Sequence, residues 1–367
     1  MMVRKRITLA MLLLAGCGGG GGGGGSVSVT PAPTPVPAPA PTPAPSPSPS
    51  PTAGLPLPLT GATAPAHDPA ILYDGGTFYL FTTGNLGDAE GLIAMRTSTD
   101  GLAWQLRGGS FSSIPAWAQT AVPGTSGMWA PDIVKHGNEY RLYYSISTFG
   151  RNDSAIGMAS ATSLNGASAA ANWTDRGVVF ESATTDNFNA IDPAVFSDAS
   201  GRMWMALGSF WTGIKLIELD PATGLRKAGE PVRAIASRPF PGAIEAPFVV
   251  RRGDFYYLFV SFDSCCQGAA STYNTVVGRS SSPTGPYLDR DGRDMMLGGG
   301  TRILSSGQGS GDRYVGRGHV AILQNAPVGG ATGDYIVYHA YDVMRNGFPT
   351  LQIQRLNWDS QGWPGVG

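Results

Sequence analysis

Cysteine is scarce in this chain, with three in 367 residues. Two of them, Cys265 and Cys266, are adjacent, which excludes a disulfide framework. In an oxidising compartment the pair would close a vicinal disulfide, and otherwise it would persist as two buried thiols. Charge is also thin: 14% of residues are charged and the formal net charge is −1. Outside the N-terminal Arg4, Lys5 and Arg6 there is no basic patch, so the footprint of a nucleic-acid binder is missing. No apolar run is long enough to span a bilayer, and helical periodicity is absent. Glycine (52) and proline (29) are abundant, and 42% of residues are hydrophobic, enough for a sizeable core in one or two domains.

The start "MMVRKRITLAMLLLAGC" joins a basic stretch to an apolar run of about 10 residues, as in an export signal covering residues 1–16. Its end, "LLAGC", resembles the bacterial lipobox, and that resemblance implies lipidation of Cys17 and a cell-surface or secreted protein. The segment 17–65 then reads as a Gly/Pro/Ser-rich linker, because from Gly18 to Ala66 no residue is charged. Its proline part, roughly 30 residues at about 3.1 Å each, would extend on the order of 90 Å. The only membrane partner expected is the one reached through the lipid, and the chain is expected to be a monomer.

Residues 66–367 carry an internal repeat. "HDPAILYDGGTFYLFTTG", "WAPDIVKHGNEYRLYYSIS", "IDPAVFSDASGRMWMALGS", "EAPFVVRRGDFYYLFVSFD" and "GHVAILQNAPVGGATGDYIVYHAYD" each read as a strand, a polar turn and an aromatic-rich strand. They recur roughly 54 to 74 residues apart, with further short strands between them. This predicts an all-β fold, a five-bladed β-propeller of four strands per blade. A two-sheet sandwich gives no reason for that recurrence.

In such a propeller the first strand of each blade lines the central channel. The residues opening the repeats then converge on its mouth: His67 with Asp68, Trp129 with Asp132, Asp192, Glu245 and His319. Carboxylates at the edge of apolar strands are costly to desolvate unless paired or used. Two carboxyl groups facing across a groove can hydrolyse a glycosidic bond, and a third nearby keeps the acid protonated by like-charge repulsion. Asp68, Asp192 and Glu245 supply that set. An isolated Asp-Pro is ordinarily a turn residue, so the repetition is what singles them out.

The ordered motifs "HDP", "WAPDI", "NAIDPAVF", "GSFWTGIKL", "IEAPF" and "FDSCCQGAASTYNTVVGRSSSPTGPY" resemble the family-43 glycoside hydrolases, specifically endo-1,5-α-L-arabinanases. The resemblance implies inverting hydrolysis of arabinan, with Asp68 as general base, Glu245 as general acid and Asp192 tuning and orienting the acid. It implies sugar contacts at Gly127, Trp129, Asn189, Ala190, Ile191, Ser209, Phe210 and Trp211, and it places His319 beside a metal, usually calcium, whose shell water would complete. Arg317 departs from the small residue or proline common at its position. His67 either donates to substrate or packs at the blade entrance, while His136 and His339 carry no signal. Exo-acting arabinofuranosidases and xylosidases are expected on the same fold, since loops decide whether the groove is open at both ends. A non-catalytic sugar-binding propeller would have no need of the three acids.

Overall fold

The structure, a computed structural model, describes residues 54–165, 169–170, 172–307 and 311–366. The expected signal peptide, Cys17 and the linker up to residue 53 lie outside the described residues. Five sheets follow one another along the chain and form the five blades of a β-propeller. Blade I orders its strands as 60–61, 103–111, 92–98, 77–82 and 70–74, and blade II as 174–182, 154–161, 139–146, 127–136 and 84–85. Blade III comprises 194–197, 203–207, 214–219 and 233–236; blade IV, 244–252, 255–262, 274–280 and 301–304; blade V, 314–328, 331–342, 348–358 and 364–366.

The hairpins have a common chemistry. Gly75-Gly76 and Gly329-Gly330 are two-residue turns with positive φ at both positions (56° and 83°; 60° and 78°), the backbone that a twisted hairpin needs and that glycine adopts without strain. Gly137 and Gly253 open the equivalent turns of blades II and IV. Blade III has a longer connection, closed by the Asp198 carboxylate, which accepts from the Ser200 and Arg202 amides and the Trp204 indole.

Middle strands are buried on both faces because the blades stack side by side. Residues 203–207 (MWMAL) and 154–161 (SAIGMASA) are buried throughout, so they read as continuous apolar or small-residue runs rather than alternating ones. In the second run Gly157 has no room for a side chain: a Cβ there would lie 2.6 Å from Trp117 and 2.7 Å from Tyr144.

The folded chain begins earlier than the expected boundary at residue 66. Leu57 N–H donates to Ile353 O and Ala66 N–H to Pro349 O on blade V, while Thr60 and Ala62 donate to Leu102 O and Trp104 O on blade I. Leu57 and Leu59 pack against a cluster containing Trp104, Ala321, Leu351 and Ile353. The last residues of the expected linker thus seal the seam between first and last blades. Leu57 and Leu59 act there as apolar packing, while Leu55 stays 90% exposed.

Candidate active site

In or just before each blade's first strand stands a non-glycine residue in the left-handed region at the same point of the repeat: Asp68 (φ 53°), Ala130 (44°), Asp192 (57°), Ala246 (52°) and His319 (50°). Four of the five precede proline. The ladder register slips there in blades II, IV and V, between Trp129 and Asp132, Glu245 and Phe248, and Gly318 and Ala321. Such bulges re-aim side chains and recur beside active sites.

The five freed amides are all satisfied by a side chain of the preceding blade. Asp68 N–H donates to His339 Nδ1 (3.1 Å), Ala130 to Thr83 Oγ1 (2.8 Å), Asp192 to Ser145 Oγ (3.0 Å), Ala246 to Asp192 Oδ2 (3.0 Å) and His319 to Ser261 Oγ (2.9 Å). A ring of bonds therefore runs from blade to blade around the mouth and sets the angle of each catalytic candidate.

Asp68 is buried and surrounded by donors. His67 Nδ1 lies 2.8 Å from Oδ2, Thr83 Oγ1 donates to Oδ2 at 2.6 Å, and His319 Nδ1 lies 3.0 Å from Oδ1. Burial alone would raise its pKa, but the His67 and His319 charges and hydrogen bonds hold it well below the usual carboxylate value. His319, against burial, is pushed up to about 9 by Asp68. His339 is 3.6 Å from Asp68 Oδ1 but is not an ion-pair partner: its Nδ1 accepts the Asp68 amide, and burial with the His67 charge keeps it neutral.

Glu245 and Asp192 lie in the opposite environment. Glu245 Oε2 accepts from Ser209 Oγ at 2.6 Å, and Tyr273 is a second hydrogen-bond partner. Burial raises Glu245 above the ordinary carboxylate range even against those bonds, with the Asp68 charge adding to it. Asp192 is raised to about 8 by burial, Glu245 and Asp68. Asp132 is also buried, its Oδ2 accepting the Val195 amide at 2.6 Å, and burial pushes it up to about 7. The mouth thus holds one carboxylate kept ionised and a pair that retains a proton near neutrality, which is the separation of roles that acid–base hydrolysis requires.

The remaining expected site residues divide into a wall and a shell. Phe210 and Trp211, both at positive φ, are 45% exposed on the loop following 203–207, while neighbouring Ser209 is buried on Glu245. Trp129 donates its indole N–H to Asn85 Oδ1 at 3.0 Å, and Gly127 makes that bond possible, since a Cβ there would sit 2.3 Å from the same oxygen. Asn189 and Ala190 are buried and Ile191 is half-buried; the Asn189 amide donates to Arg151 O, and its side-chain oxygen is buried without a partner. Arg317 folds away onto Asp312 and Tyr314 O.

Sequence reasoning missed Thr83, Tyr273, His339 and Tyr341, and found His67 without its role. Thr83, Ser145 and Ser261 had a readable signal, a hydroxyl recurring near the end of the second strand in blades I, II and IV. His339 replaces that hydroxyl in blade V, so it is part of the site despite carrying no signal in the sequence. Cys265 and Cys266 are joined as a vicinal disulfide, and His67 Nε2 lies 2.7 Å from Tyr341 Oη.

Residues 62–364 match glycosyl hydrolases family 43. The chain belongs to that family. Among curated family-43 relatives, an extracellular endo-α-(1→5)-L-arabinanase of Bacillus subtilis is 43% identical over 81% of this chain and 86% of that protein. An extracellular exo-α-(1→5)-L-arabinofuranosidase of Cellvibrio japonicus is 42% identical over 82% of this chain and 86% of its own. The solved Cellvibrio cellulosa α-L-arabinanase in complex with arabinohexaose is 40% identical, with a TM-score of 0.76 over 83% of this chain and 96% of that one.

Proposed function

We propose that this family-43 hydrolase cleaves α-1,5-arabinofuranosidic links within linear arabinan, outside the cell and with inversion. The observation that carries the reading is the contrast at one mouth between Asp68, set among imidazoles and a hydroxyl, and the buried Glu245–Asp192 pair, surroundings that favour a charged and a protonated form respectively. Asp68, ionised, takes the proton of the attacking water as Glu245 gives its proton to the departing sugar oxygen. Asp192 and Glu245 oppose each other's ionisation, so the pair retains a proton, and Asp192 fixes the Ala246 amide next to the acid. The exposed faces of Phe210 and Trp211 suit the apolar face of a furanose ring.

Product lengths from linear arabinan test the endo assignment. Mixed oligosaccharides are expected early, and release of a single small product from the start would favour the exo reading that the Cellvibrio relative's name keeps alive. The anomeric form first released, read by NMR before mutarotation, tests inversion. A sugar-binding propeller without catalysis would show binding and no turnover.

The channel ion is a second part of this proposal. His319 Nδ1 faces Asp68 at 3.0 Å, so once a cation displaces the Nε2 proton that Asp68 favours, Nε2 becomes a ligand atom in the tautomer that carboxylate-backed metal ligands adopt, and the residues fit a cation in that form. Calcium, with water filling its shell, would supply fixed positive charge near the carboxylates when bound. A chelator-induced fall in melting temperature, reversed by calcium, is the expected result. Export and lipidation of Cys17 complete the reading; Cys17→Ala is expected to release the protein from membranes while leaving kcat unchanged.

A further inference from the structure

We infer that the vicinal disulfide Cys265–Cys266 and Tyr341 are positioning residues for the catalytic base, joined to Asp68 by one chain of hydrogen bonds. This inference rests on the hydrolase reading above and extends it to residues that do not themselves react.

The chain of contacts is continuous. The Cys266 amide donates to Tyr341 Oη at 2.8 Å, and Tyr341 Oη meets His67 Nε2 at 2.7 Å. His67 Nδ1–H then faces Asp68 Oδ2 at 2.8 Å. The series holds the His67 ring, and through it the carboxylate, in one orientation. The His67 ring has little freedom to escape, because it stacks on His339 at 4.0 Å and Tyr341 closes edge-on against the same His339. The first link depends on the disulfide. Cys266 is in the left-handed region at φ 66°, a conformation that a non-glycine residue holds only when its surroundings impose it. Joining adjacent side chains closes a small covalent ring through the backbone, and that ring constrains the amide aimed at Tyr341. Cys266 Sγ also lies 3.9 Å from His67 Nε2, over the same ring.

The same loop reaches the other side of the mouth. Its ends are tied by the Thr272 and Tyr273 amides donating to Ser264 O, and Tyr273 is the hydrogen-bond partner of Glu245. The loop thus touches the acid directly and the base through Tyr341. Cys266 is exposed, so a small reductant reaches the bond.

The full chain is tested with linear arabinan before and after treatment with a trialkylphosphine, which donates two electrons to the S–S bond, yields two thiols and becomes the phosphine oxide. Reduction, the double variant Cys265→Ser/Cys266→Ser, and Tyr341→Phe are each expected to lower kcat about 10- to 100-fold with KM within about twofold, the cost of a misplaced catalytic group. Reoxidation is expected to restore kcat. Because the parts act in one series, reducing Tyr341→Phe is expected to add little to the loss, whereas independent effects would multiply. Near-UV circular dichroism and melting curves identify a variant that has failed to fold, in which case reversible reduction of the folded wild type decides. Unchanged kcat with two titratable thiols, a rise in KM alone, or multiplying effects would overturn the inference. A wild type inactive on every arabinoside, indistinguishable from Asp68→Asn, overturns the functional reading itself and this inference with it.

Discussion

The two sides of the channel mouth use the same backbone device to opposite ends. On the blade I side Asp68 occupies the left-handed position, and the groups facing it are imidazoles and a hydroxyl. Across the mouth Glu245 stands one residue before the equivalent position, and its polar neighbours are a serine, a tyrosine and another carboxylate. Both carboxyl groups are buried to nearly the same extent, with Asp68 8% and Glu245 7% exposed. Desolvation pushes both toward the protonated form, so burial cannot explain the difference between them. The charges and donors of neighbouring blades do, which makes the proposed assignment of base and acid a property of what surrounds each strand.

The largest expected effects break the comparison by removing either member. Asp68→Asn and Glu245→Gln should each lower kcat by about 10³-fold or more while the fold is retained, measured on linear arabinan with circular dichroism as the check. Asp192→Asn is expected to lower kcat as well, and to move the alkaline limb of the pH–rate profile to lower pH. As a pair, Asp192 and Glu245 oppose one another's ionisation; with asparagine at 192 that opposition is gone, so Glu245 ionises more readily and ceases to be an acid sooner as pH rises.

Ser209→Ala sharpens the comparison from the other direction. The Ser209 hydroxyl stabilises the Glu245 carboxylate, so its loss should raise the pKa of the acid further and carry the alkaline limb to higher pH, with a loss in kcat of about 10-fold or less. A limb that moves to lower pH would contradict the role given to this bond.

Two stability predictions contrast the site with its scaffold. Gly157→Ala forces a methyl group against Trp117 and Tyr144 between blades, and should cost about 1–3 kcal/mol in urea unfolding while kcat at low temperature changes little. The smallest effect is expected for Leu57→Ala, about 1 kcal/mol or slightly more, because this half-buried side chain closes the ring rather than filling its centre. No loss on that substitution would mean that the segment before residue 66 lies on the seam without sealing it.

Much of this was legible from local patterns. The five hairpins were visible because a strand, a glycine turn and an aromatic strand are each encoded within a few residues. Asp68 and Asp192 were visible because the repeat places them at one register, with Glu245 one residue before it. The packed segment 54–65 was not, since Leu57 and Leu59 within a charge-free Pro-rich stretch look the same whether they are solvated or seated on blade V. His339 and Tyr341 were not, because a histidine and a tyrosine in an aromatic strand are ordinary core residues until blade V is brought beside blade I.

The sequence by itself determined the repeating unit, the number of blades and the carboxyl groups that line up at their entrances, because those depend on turn chemistry and on spacing along one strand. Tertiary structure decided which carboxyl group keeps its proton. Closing the ring sets His339 and Tyr341 at the end of the chain, 271 and 274 residues away, against Asp68 and His67 near its start. Ring closure likewise brings His319 to within 3.0 Å of Asp68. Protonation depends on charges and donors a few ångströms away, and only the closed propeller determines which residues those are.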